Sequence, residues 1–264
     1  MRKKHRFRFS SIYLGLILLV MYLPIVVVIV YSFNASKLDA SWGGFTLDWY
    51  RKLIHNQSLM EALKNSLILA VLSCGISAVI GTIGAVGLAR WDMKGKGILE
   101  SVSMIPIMIP EIILGMVFLA FFSFLGLRFG MLTLVLGHMT FCIPYIFIMV
   151  KGRLAGLDKS IGEAARDLGA SEVRMFFDIT LPLITPAVLS GTLLAFAMSL
   201  DDVVISFFTA GAKTNTLPVK IYSQLKVGIT PEINALCTLM LVITFLIILL
   251  VGYIGAKGAP KQHS

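Results

Sequence analysis

Charged side chains are scarce in this chain of 264 residues. Asp, Glu, Lys and Arg make up 14% of it, whereas about 25% is usual in soluble globular domains. Hydrophobic residues account for 57%, and the mean hydropathy is +0.89. This composition excludes a soluble globular protein and indicates a membrane protein.

Patterns of cysteine, histidine and glycine that support chemistry are also lacking. The three cysteines, Cys74, Cys142 and Cys237, lie in different apolar segments without disulfide or metal-ligand spacing. The four histidines are scattered. The one Gly-Lys pair, Gly95-Lys96, is followed by Gly97 and does not complete the phosphate-binding pattern G-x-x-x-x-G-K-[ST]. We therefore expect neither a metal site nor a nucleotide site in this chain, and no enzymatic activity of its own.

Six apolar stretches are long enough to cross a hydrocarbon core, which requires roughly 20 helical residues. They are residues 11–33, 65–89, 101–124, 131–150, 186–208 and 234–255. The sequence therefore predicts an all-α membrane protein with six transmembrane helices. We expect the first stretch to be retained, because it is too long for the apolar region of a signal peptide.

The distribution of basic residues predicts the orientation. With six spans, both ends of the chain lie on one side of the membrane, together with the loops at 90–100 and 151–185. That side carries fifteen of the 23 Lys and Arg residues. Because cytoplasmic loops are enriched in Lys and Arg, we predict that both termini are cytoplasmic.

A polar segment from Lys151 to Thr185 interrupts the apolar stretches. It contains Glu163-Ala164-Ala165, three residues and Gly169, and then nine residues, Ile179, one residue and Leu181-Pro182. This pattern, E-A-A-x3-G-x9-I-x-L-P, resembles the EAA loop of the permease subunits of ABC importers. The resemblance implies the type-1 ABC importer permease fold, and it makes residues 151–185 the cytoplasmic coupling loop that contacts a separate ATPase. The residues that we assign to this contact are Glu163, Ala164, Ala165, Gly169, Glu172, Phe176, Ile179, Leu181 and Pro182.

Local patterns predict two short helices within this loop. Ser160 and Glu163 fit a capping box, with Ser160 as the N-cap of a helix that runs to Leu168. Gly169 permits a turn out of that helix, and Ser171 is suited to cap the second one.

The second helix is predicted to be amphipathic and to precede the fifth span. Its apolar face consists of Val173, Phe176 and Phe177 at i, i+3, i+4 spacing. We expect Leu181-Pro182 to end this helix and Pro186 to open the next span at its first helical position. An exposed apolar face of this kind suits a groove on another protein, although it could also pack on the spans of this chain.

Three acidic residues fall where lipid should be: Glu111 in the third span, and Asp201 and Asp202 in the fifth. A carboxylate within a span is costly, so these groups should face a cavity or a partner. The interiors of the spans contain no Lys or Arg, so we expect no internal ion pair. The three acids are therefore predicted to line a pathway for a cationic substrate.

The geometry of an α-helix assigns different positions to these acids. Adjacent residues differ by about 100° around the helix, so Asp201 and Asp202 cannot both face one pathway. One is expected to face it, while the other accepts hydrogen bonds from the backbone or from Ser and Thr. Pro106 and Pro110 are expected to kink the third span just before Glu111.

Three further stretches resemble the C-type permease subunits of spermidine/putrescine importers. They are 199–204, with the adjacent Asp pair, 217–223, and 230–235, with Pro231-Glu232-Ile233-Asn234-Ala235. The position of Glu111 corresponds to an Asp in that family, which preserves the charge but changes the side-chain length. The resemblance implies polyamine import by alternating access across a bacterial inner membrane.

The same resemblance implies the partners and the domain organisation. The partners are an ATPase dimer that binds ATP and Mg²⁺, a homologous second permease subunit and a periplasmic polyamine-binding protein. Residues 1–59 would form the tail, the first helix and an external loop; 60–256 the permease core of five helices; and 257–264 a cytoplasmic tail.

Other functions are compatible with parts of this pattern. A permease of this type could carry another cationic or small solute, since the loop does not specify the cargo. Intramembrane carboxylates also occur in proton-coupled secondary carriers. An intramembrane aspartyl protease needs two acids that converge from separate spans, which the adjacent Asp201 and Asp202 do not provide. His138 lies alone within a span and is predicted to be hydrogen-bonded inside the bundle.

Overall fold

The computed structural model describes residues 3–36, 41–90, 94–225 and 231–258. Over these residues the chain is helical apart from short connections and one isolated β-bridge between Asn34 and Phe45. The all-α prediction is confirmed. The helices are, in order, α1 (Lys3–Tyr31), α2 (Asp48–His55), α3 (Gln57–Arg90), α4 (Lys96–Met108), α5 (Glu111–Phe124), α6 (Met131–Ala155), α7 (Lys159–Asp167), α8 (Glu172–Met175), a π-helical segment (Phe176–Thr180), α9 (Leu181–Asp201), α10 (Val204–Thr209), α11 (Leu217–Leu225) and α12 (Pro231–Gly258).

Within the described residues, five helical stretches are long and apolar enough to cross a membrane. They are Ser11–Tyr31, Gln57–Arg90, Met131–Ala155, Glu172–Asp201 and Pro231–Leu249. A sixth span is obtained if the bent pair α4 and α5 is counted as one. Each of the six stretches predicted from the sequence overlaps one of these elements.

The third predicted span, 101–124, is broken in the middle. Its two halves, α4 and α5, meet at 102°. Ile109 and Pro110 between them are extended, with ψ of 131° at both residues. Proline lacks an N–H and disfavours helical geometry at the preceding residue, so the helix stops at Met108. The predicted kink before Glu111 is confirmed at Pro110, whereas Pro106 lies inside α4, which continues through it.

The fifth predicted span, 186–208, differs from the structure at both ends. The prediction that Leu181-Pro182 ends the preceding helix is wrong, as is the prediction that Pro186 opens the span, because one helical stretch runs from Glu172 to Asp201. The π segment explains why: its wider turn moves the bonding from i−4 to i−5, with the Leu181 N–H donating to the Phe176 C=O. The helix thus continues past Pro182, which lies in the first turn of α9.

The chain divides into two compact units. The first comprises residues 1–60 and 223–245. In it, Asn34 organises the segment before α2: its C=O accepts a hydrogen bond from the Trp49 ring N–H, and its Oδ1 accepts one from the Gly43 N–H, both at 2.7 Å. Asn56 Nδ2 donates to Glu232 Oε1 at 3.1 Å, which joins the residue before α3 to the first turn of α12.

The second unit comprises residues 61–222 and 246–264, and α6 packs closely against α9 within it. Gly191 of α9 allows this approach, because a Cβ there would lie 3.0 Å from the Ile146 Cα. Small residues at a helix contact bring backbones together and gain dispersion contacts, which is the usual basis of packing in membranes. The apolar core of this unit includes Ile146, Val150, Ile184, Ala195 and Ile205.

The short helix α10 packs against both α5 and α6 in the same unit. A Cβ at Gly115 of α5 would lie 2.5 Å from the Phe208 ring, and a Cβ at Gly137 of α6 would lie 3.0 Å from Ile205 Cγ2. Just beyond α10, a Cβ at Gly211 would overlap the Phe129 C=O. The position of α10 is therefore fixed by glycines on the surrounding segments.

We predict that Gly211→Ala lowers the free energy of unfolding by about 1–3 kcal/mol, the usual cost of overpacking, because the obstructing atom is backbone. The measurement is the Tm of the full chain in detergent. The matched control is Gly152→Ala in α6, where a Cβ would have no neighbour within 4 Å. Equal Tm values for the two variants would contradict the close packing described for Gly211.

Candidate functional site

The fifth span is broken too: α9 ends at Asp201 and α10 begins at Val204, with Asp202 and Val203 between them. This break and the one in the third span open onto one cavity, with a volume of about 310 Å³. It lies within the second unit, and we call it the acidic cavity. Its lining consists of Pro106, Ile107, Ile109, Glu111, Leu114, Phe141, Tyr145, Met198, Asp201, Asp202, Val203, Val204 and Ile205. The three acids singled out from the sequence, one in the third span and two in the fifth, are thus brought together.

Glu111 and Asp201 are exposed to the cavity. Glu111 lies in the first turn of α5, where a carboxylate interacts favourably with the helix dipole. Asp201 is the last residue of α9. Within the described part of the chain, neither carboxylate forms a hydrogen bond or an ion pair, so both remain available to a ligand.

Asp202 is in a different environment, with a side chain that is only 5% exposed. Its Oδ1 accepts a hydrogen bond from the Ile205 N–H at 3.1 Å, and its Oδ2 accepts one from the Ser206 N–H at 2.7 Å. These are the N–H groups of the first turn of α10, which have no helical partner. Asp202 therefore occupies the hydrogen-bonding position that the sequence argument assigned to one member of the pair.

We expected no internal ion pair for these acids because the spans hold no Lys or Arg, but Asp202 has beside it a histidine, which pairs with a carboxylate when protonated. His138 Nε2 lies 3.3 Å from Asp202 Oδ2. In the sequence, 63 residues separate this His from this Asp. Their proximity depends on how α6 packs beside the break, which residue spacing does not reveal.

His138 is fully buried and both of its ring nitrogens have partners. Nδ1 lies 2.8 Å from Ser199 Oγ, and Nε2 lies 3.0 Å from Ser206 Oγ. The prediction that His138 is hydrogen-bonded inside the bundle is confirmed.

Two aromatic residues of the acidic cavity were missed in the sequence argument. Phe141 and Tyr145 of α6 line it. With His138 they follow an i, i+3, i+7 spacing, which places all three on one face of a helix. This spacing could have been read from the sequence, because Phe141 and Tyr145 lie on the same face of α6 as His138.

The second site is the predicted coupling loop. The structure begins α7 at Lys159, with Asp158 as the N-cap: its Oδ1 accepts a hydrogen bond from the Ser160 N–H at 2.9 Å. The prediction that Ser160 caps this helix is therefore wrong, because the acidic residue two positions earlier takes that role. The hydrogen bonds from Ser160 stabilise the ionised carboxylate and lower the pKa of Asp158.

The predicted turn at Gly169 and the predicted cap at Ser171 are both confirmed. Gly169 has φ of +79°, a left-handed conformation that suits glycine. Ser171 Oγ accepts a hydrogen bond from the Arg174 N–H at 3.3 Å. The apolar face predicted from Val173, Phe176 and Phe177 is divided, since Phe176 is half-buried while the other two are exposed.

The helix α7 has a buried side and an exposed side. Ala165 is buried, and so is Met175 of α8. Glu163 and Ala164 are exposed, and Leu168 just after the helix is 89% exposed. Of the other residues assigned to this site, Ile179 and Leu181 are half-buried and Pro182 is exposed.

Glu172 joins this loop to α3. Its Oε2 accepts a hydrogen bond from Arg90 Nη1 at 3.1 Å, and its Oε1 accepts one from Arg166 Nε at 2.9 Å. Arg90 also donates to Thr180 Oγ1 at the end of the π segment. One arginine at the end of α3 thus contacts both the beginning and the end of the segment that precedes α9.

Comparisons with known proteins give one consistent result. Residues 77–257 match the family described as the binding-protein-dependent transport system inner membrane component. The chain is 41% identical to the spermidine/putrescine transport system permease protein PotC of Escherichia coli (strain K12) over 244 residues, which is 92% of each chain. It is 40% identical to the putrescine transport system permease protein PotI of the same strain over 250 residues, 92% of this chain and 89% of that one.

Solved structures share the fold at lower identity. A chain of a bacterial ABC transporter involved in the import of the acidic polysaccharide alginate superposes with a TM-score of 0.75 at 17% identity, over 96% of this chain and 97% of that one. The resemblance to ABC importer permeases stated from the EAA pattern is thereby confirmed. The chain belongs to the family of binding-protein-dependent transport system inner membrane components, and it is a multi-pass protein of the inner membrane.

Proposed function

We propose that this chain is a permease subunit of an ATP-driven importer that carries polyamines, spermidine and putrescine, across the inner membrane. The observation that carries the proposal is the acidic cavity, where two exposed carboxylates, Glu111 and Asp201, face a common space. The names of the similar proteins PotC and PotI support the same cargo.

The chemistry of the acidic cavity suits a polyamine. Such a substrate combines several ammonium groups with apolar methylene chains. None of the described residues that line the cavity is Lys, Arg or His, so Glu111 and Asp201 can form charge-assisted hydrogen bonds with ammonium groups without competition. Phe141 and Tyr145 offer aromatic faces for cation–π contact, and the aliphatic lining suits the methylenes.

The fold alone does not determine this cargo, because an importer of an acidic polysaccharide shares it. The sign of the charge in the cavity is what favours a cation. An anionic cargo would meet two unpaired carboxylates, and like charges repel.

The energy source is a separate ATPase dimer that binds ATP and Mg²⁺. In this proposal both termini and residues 151–185 are cytoplasmic, and the exposed side of α7, with Glu163 and Leu168, contacts the ATPase. A homologous second permease subunit completes the pathway, and a periplasmic polyamine-binding protein delivers the substrate.

Transmission from the loop to the cavity follows from the continuous helical stretch Glu172–Asp201. Its 30 residues extend about 45 Å at 1.5 Å per residue. At one end Glu172 is held by Arg90 and Arg166, and the other end carries Asp201. Movement of the loop when the ATPase dimer closes would therefore reach the cavity through a single rigid element, which suits alternating access.

The direct test of this function is uptake of labelled spermidine, putrescine and a basic amino acid by the reconstituted complex, with and without ATP. We expect ATP-dependent uptake of the polyamines alone. Uptake of the amino acid alone would support the permease function but reject polyamines as the cargo. Uptake driven by a proton gradient without ATP would indicate a secondary carrier.

We predict that Glu111→Gln and Asp201→Asn each raise the KM for spermidine uptake by about 10- to 100-fold. Loss of a hydrogen bond to a charged group costs about 1.5–3 kcal/mol, and 1.4 kcal/mol corresponds to a factor of ten. The matched control is Glu61→Gln, an exposed carboxylate outside the acidic cavity. If the KM values of all three variants equal that of the wild type, the cavity is not the binding site.

A second prediction concerns the contact with the ATPase. Glu163→Ala should reduce uptake and separate ATP hydrolysis from transport, while the spermidine KM stays unchanged, because Glu163 is exposed on α7 and remote in sequence from the cavity. The measurement is the number of ATP molecules hydrolysed per spermidine imported. An unchanged ratio together with unchanged uptake would argue against a role for Glu163 in the contact.

The two possible caps of α7 can be distinguished by substitution. We predict that Asp158→Ala weakens co-purification of the ATPase, because α7 loses the acceptor for the Ser160 N–H, whereas Ser160→Ala has little effect. Asp158→Asn should retain binding, since Asn is an equally good N-cap residue. The reverse order, with Ser160→Ala the more harmful change, would restore the capping box predicted from the sequence.

The lowered pKa of Asp158 adds a condition on pH. A carboxyl group whose pKa is lower in the folded state contributes stability above its unfolded pKa and loses it as the pH falls through the folded value. The difference in the free energy of unfolding between wild type and Asp158→Asn should therefore be constant from neutral pH down to about 4, where the free side chain titrates. It should change only in more acidic solution.

A further inference from the structure

His138 connects the two sides of the break in the fifth span. Through Nδ1 it contacts Ser199, which lies in α9 before the break, at 2.8 Å. Through Nε2 it contacts Ser206 of α10 at 3.0 Å and Asp202 at 3.3 Å. The imidazole is completely buried, so these contacts are made without competition from water.

We propose that His138 is a positioning residue for the acidic cavity: it holds both sides of the break so that the Asp201 carboxylate faces the substrate. Asp202 is the anchor of this arrangement and does not bind the substrate. This inference rests on the function proposed above, and it assigns different roles to two adjacent, chemically identical residues.

The break requires such an anchor for a physical reason. A helix that stops within a membrane leaves N–H and C=O groups unpaired, and each unpaired group costs free energy in the absence of water. Asp202 satisfies the N–H groups of Ile205 and Ser206, and its own buried charge is in turn stabilised by His138. Removing His138 leaves that charge without its neighbour and favours rearrangement of the break.

Rearrangement would turn Asp201 away from the cavity. Asp202 now has ψ of 122°, an extended conformation that ends α9. If the helix continued through this point, each residue that became helical would rotate Asp201 and Asp202 by about 100° around the axis relative to α10. The carboxylate that is exposed now would no longer face Glu111 and Tyr145 across the same space.

The contrast between the two aspartates supports these separate roles. Both oxygens of Asp202 accept backbone hydrogen bonds, and its side chain is only 5% exposed. Asp201 is exposed and, within the described residues, has no partner. An ammonium group can reach Asp201 without displacing any existing bond, whereas at Asp202 it would have to break the cap of α10.

The first experiment does not depend on the cargo. The complete complex carrying Asp201→Cys is treated with a cationic methanethiosulfonate, and the rate of labelling is compared with and without His138→Leu. The parent chain with only its native cysteines serves as the blank. We expect His138→Leu to slow labelling at position 201 roughly tenfold, whereas Thr140→Val should not change it. Thr140 is the matched control because its hydroxyl donates only to Leu136 C=O in its own helix.

The second experiment separates positioning from folding by KM and Vmax for spermidine uptake. We expect His138→Leu to raise the KM by roughly tenfold, because misplacement of a binding group by about 1 Å is costly. In an Asp201→Asn background the same change should leave the KM unaltered, since the carboxylate that it positions is already absent. His138→Gln, whose amide can replace Nε2 beside Asp202, should restore the KM better than His138→Asn, whose amide replaces Nδ1.

Each outcome decides whether His138 positions Asp201 or only supports folding. A fall in Vmax with unchanged KM and unchanged labelling would overturn the proposal and leave His138 a folding residue. KM effects of His138→Leu and Asp201→Asn that multiply in the double variant would overturn it as well. If the wild-type complex imports no polyamine, the function proposed above fails, and the labelling rates alone then confirm or reject the role of His138.

Discussion

A membrane-spanning helix that is interrupted must find new partners for the peptide groups that the interruption releases, because lipid offers none. This constraint governs the acidic cavity. At Ile109–Pro110 the missing proline N–H reduces the number of groups to be satisfied. At Asp202–Val203 the Asp202 carboxylate accepts from two backbone N–H groups, and His138 stabilises that carboxylate. The two interruptions create a space for a ligand, and the buried polar network allows one of them to persist.

The sequence was sufficient where the physical signal is local. Long apolar runs located every span, Pro110 located the bend in the third, and Gly169 and Ser171 located the turn and the cap in the loop. The acids were found for the same reason, since a carboxylate in an apolar run is conspicuous. Apart from the apolar runs, each of these inferences depends on residues within one or two helical turns of one another.

The sequence was insufficient where the outcome depends on competition between partners. Ser160 and Asp158 are both good N-cap residues, and only the structure shows that α7 begins directly after Asp158. Pro182 ordinarily breaks a helix, but a single wider turn absorbed it. The neighbour of Asp202 is a histidine on another helix, and no spacing rule connects them. Tertiary packing made these choices, and it also placed Phe141 and Tyr145 in the cavity.

The π segment restricts which insertions and deletions this protein can accept during evolution. One extra residue in a helix rotates everything beyond it by about 100°, so the π segment sets the angular phase between the loop at Glu172 and the carboxylate at Asp201. A single insertion or deletion in α9 would turn Asp201 away from the cavity unless a second change elsewhere in the helix restored the phase. The register of this helix is therefore tied to both of its ends at once, to the loop at Glu172 and to the cavity at Asp201.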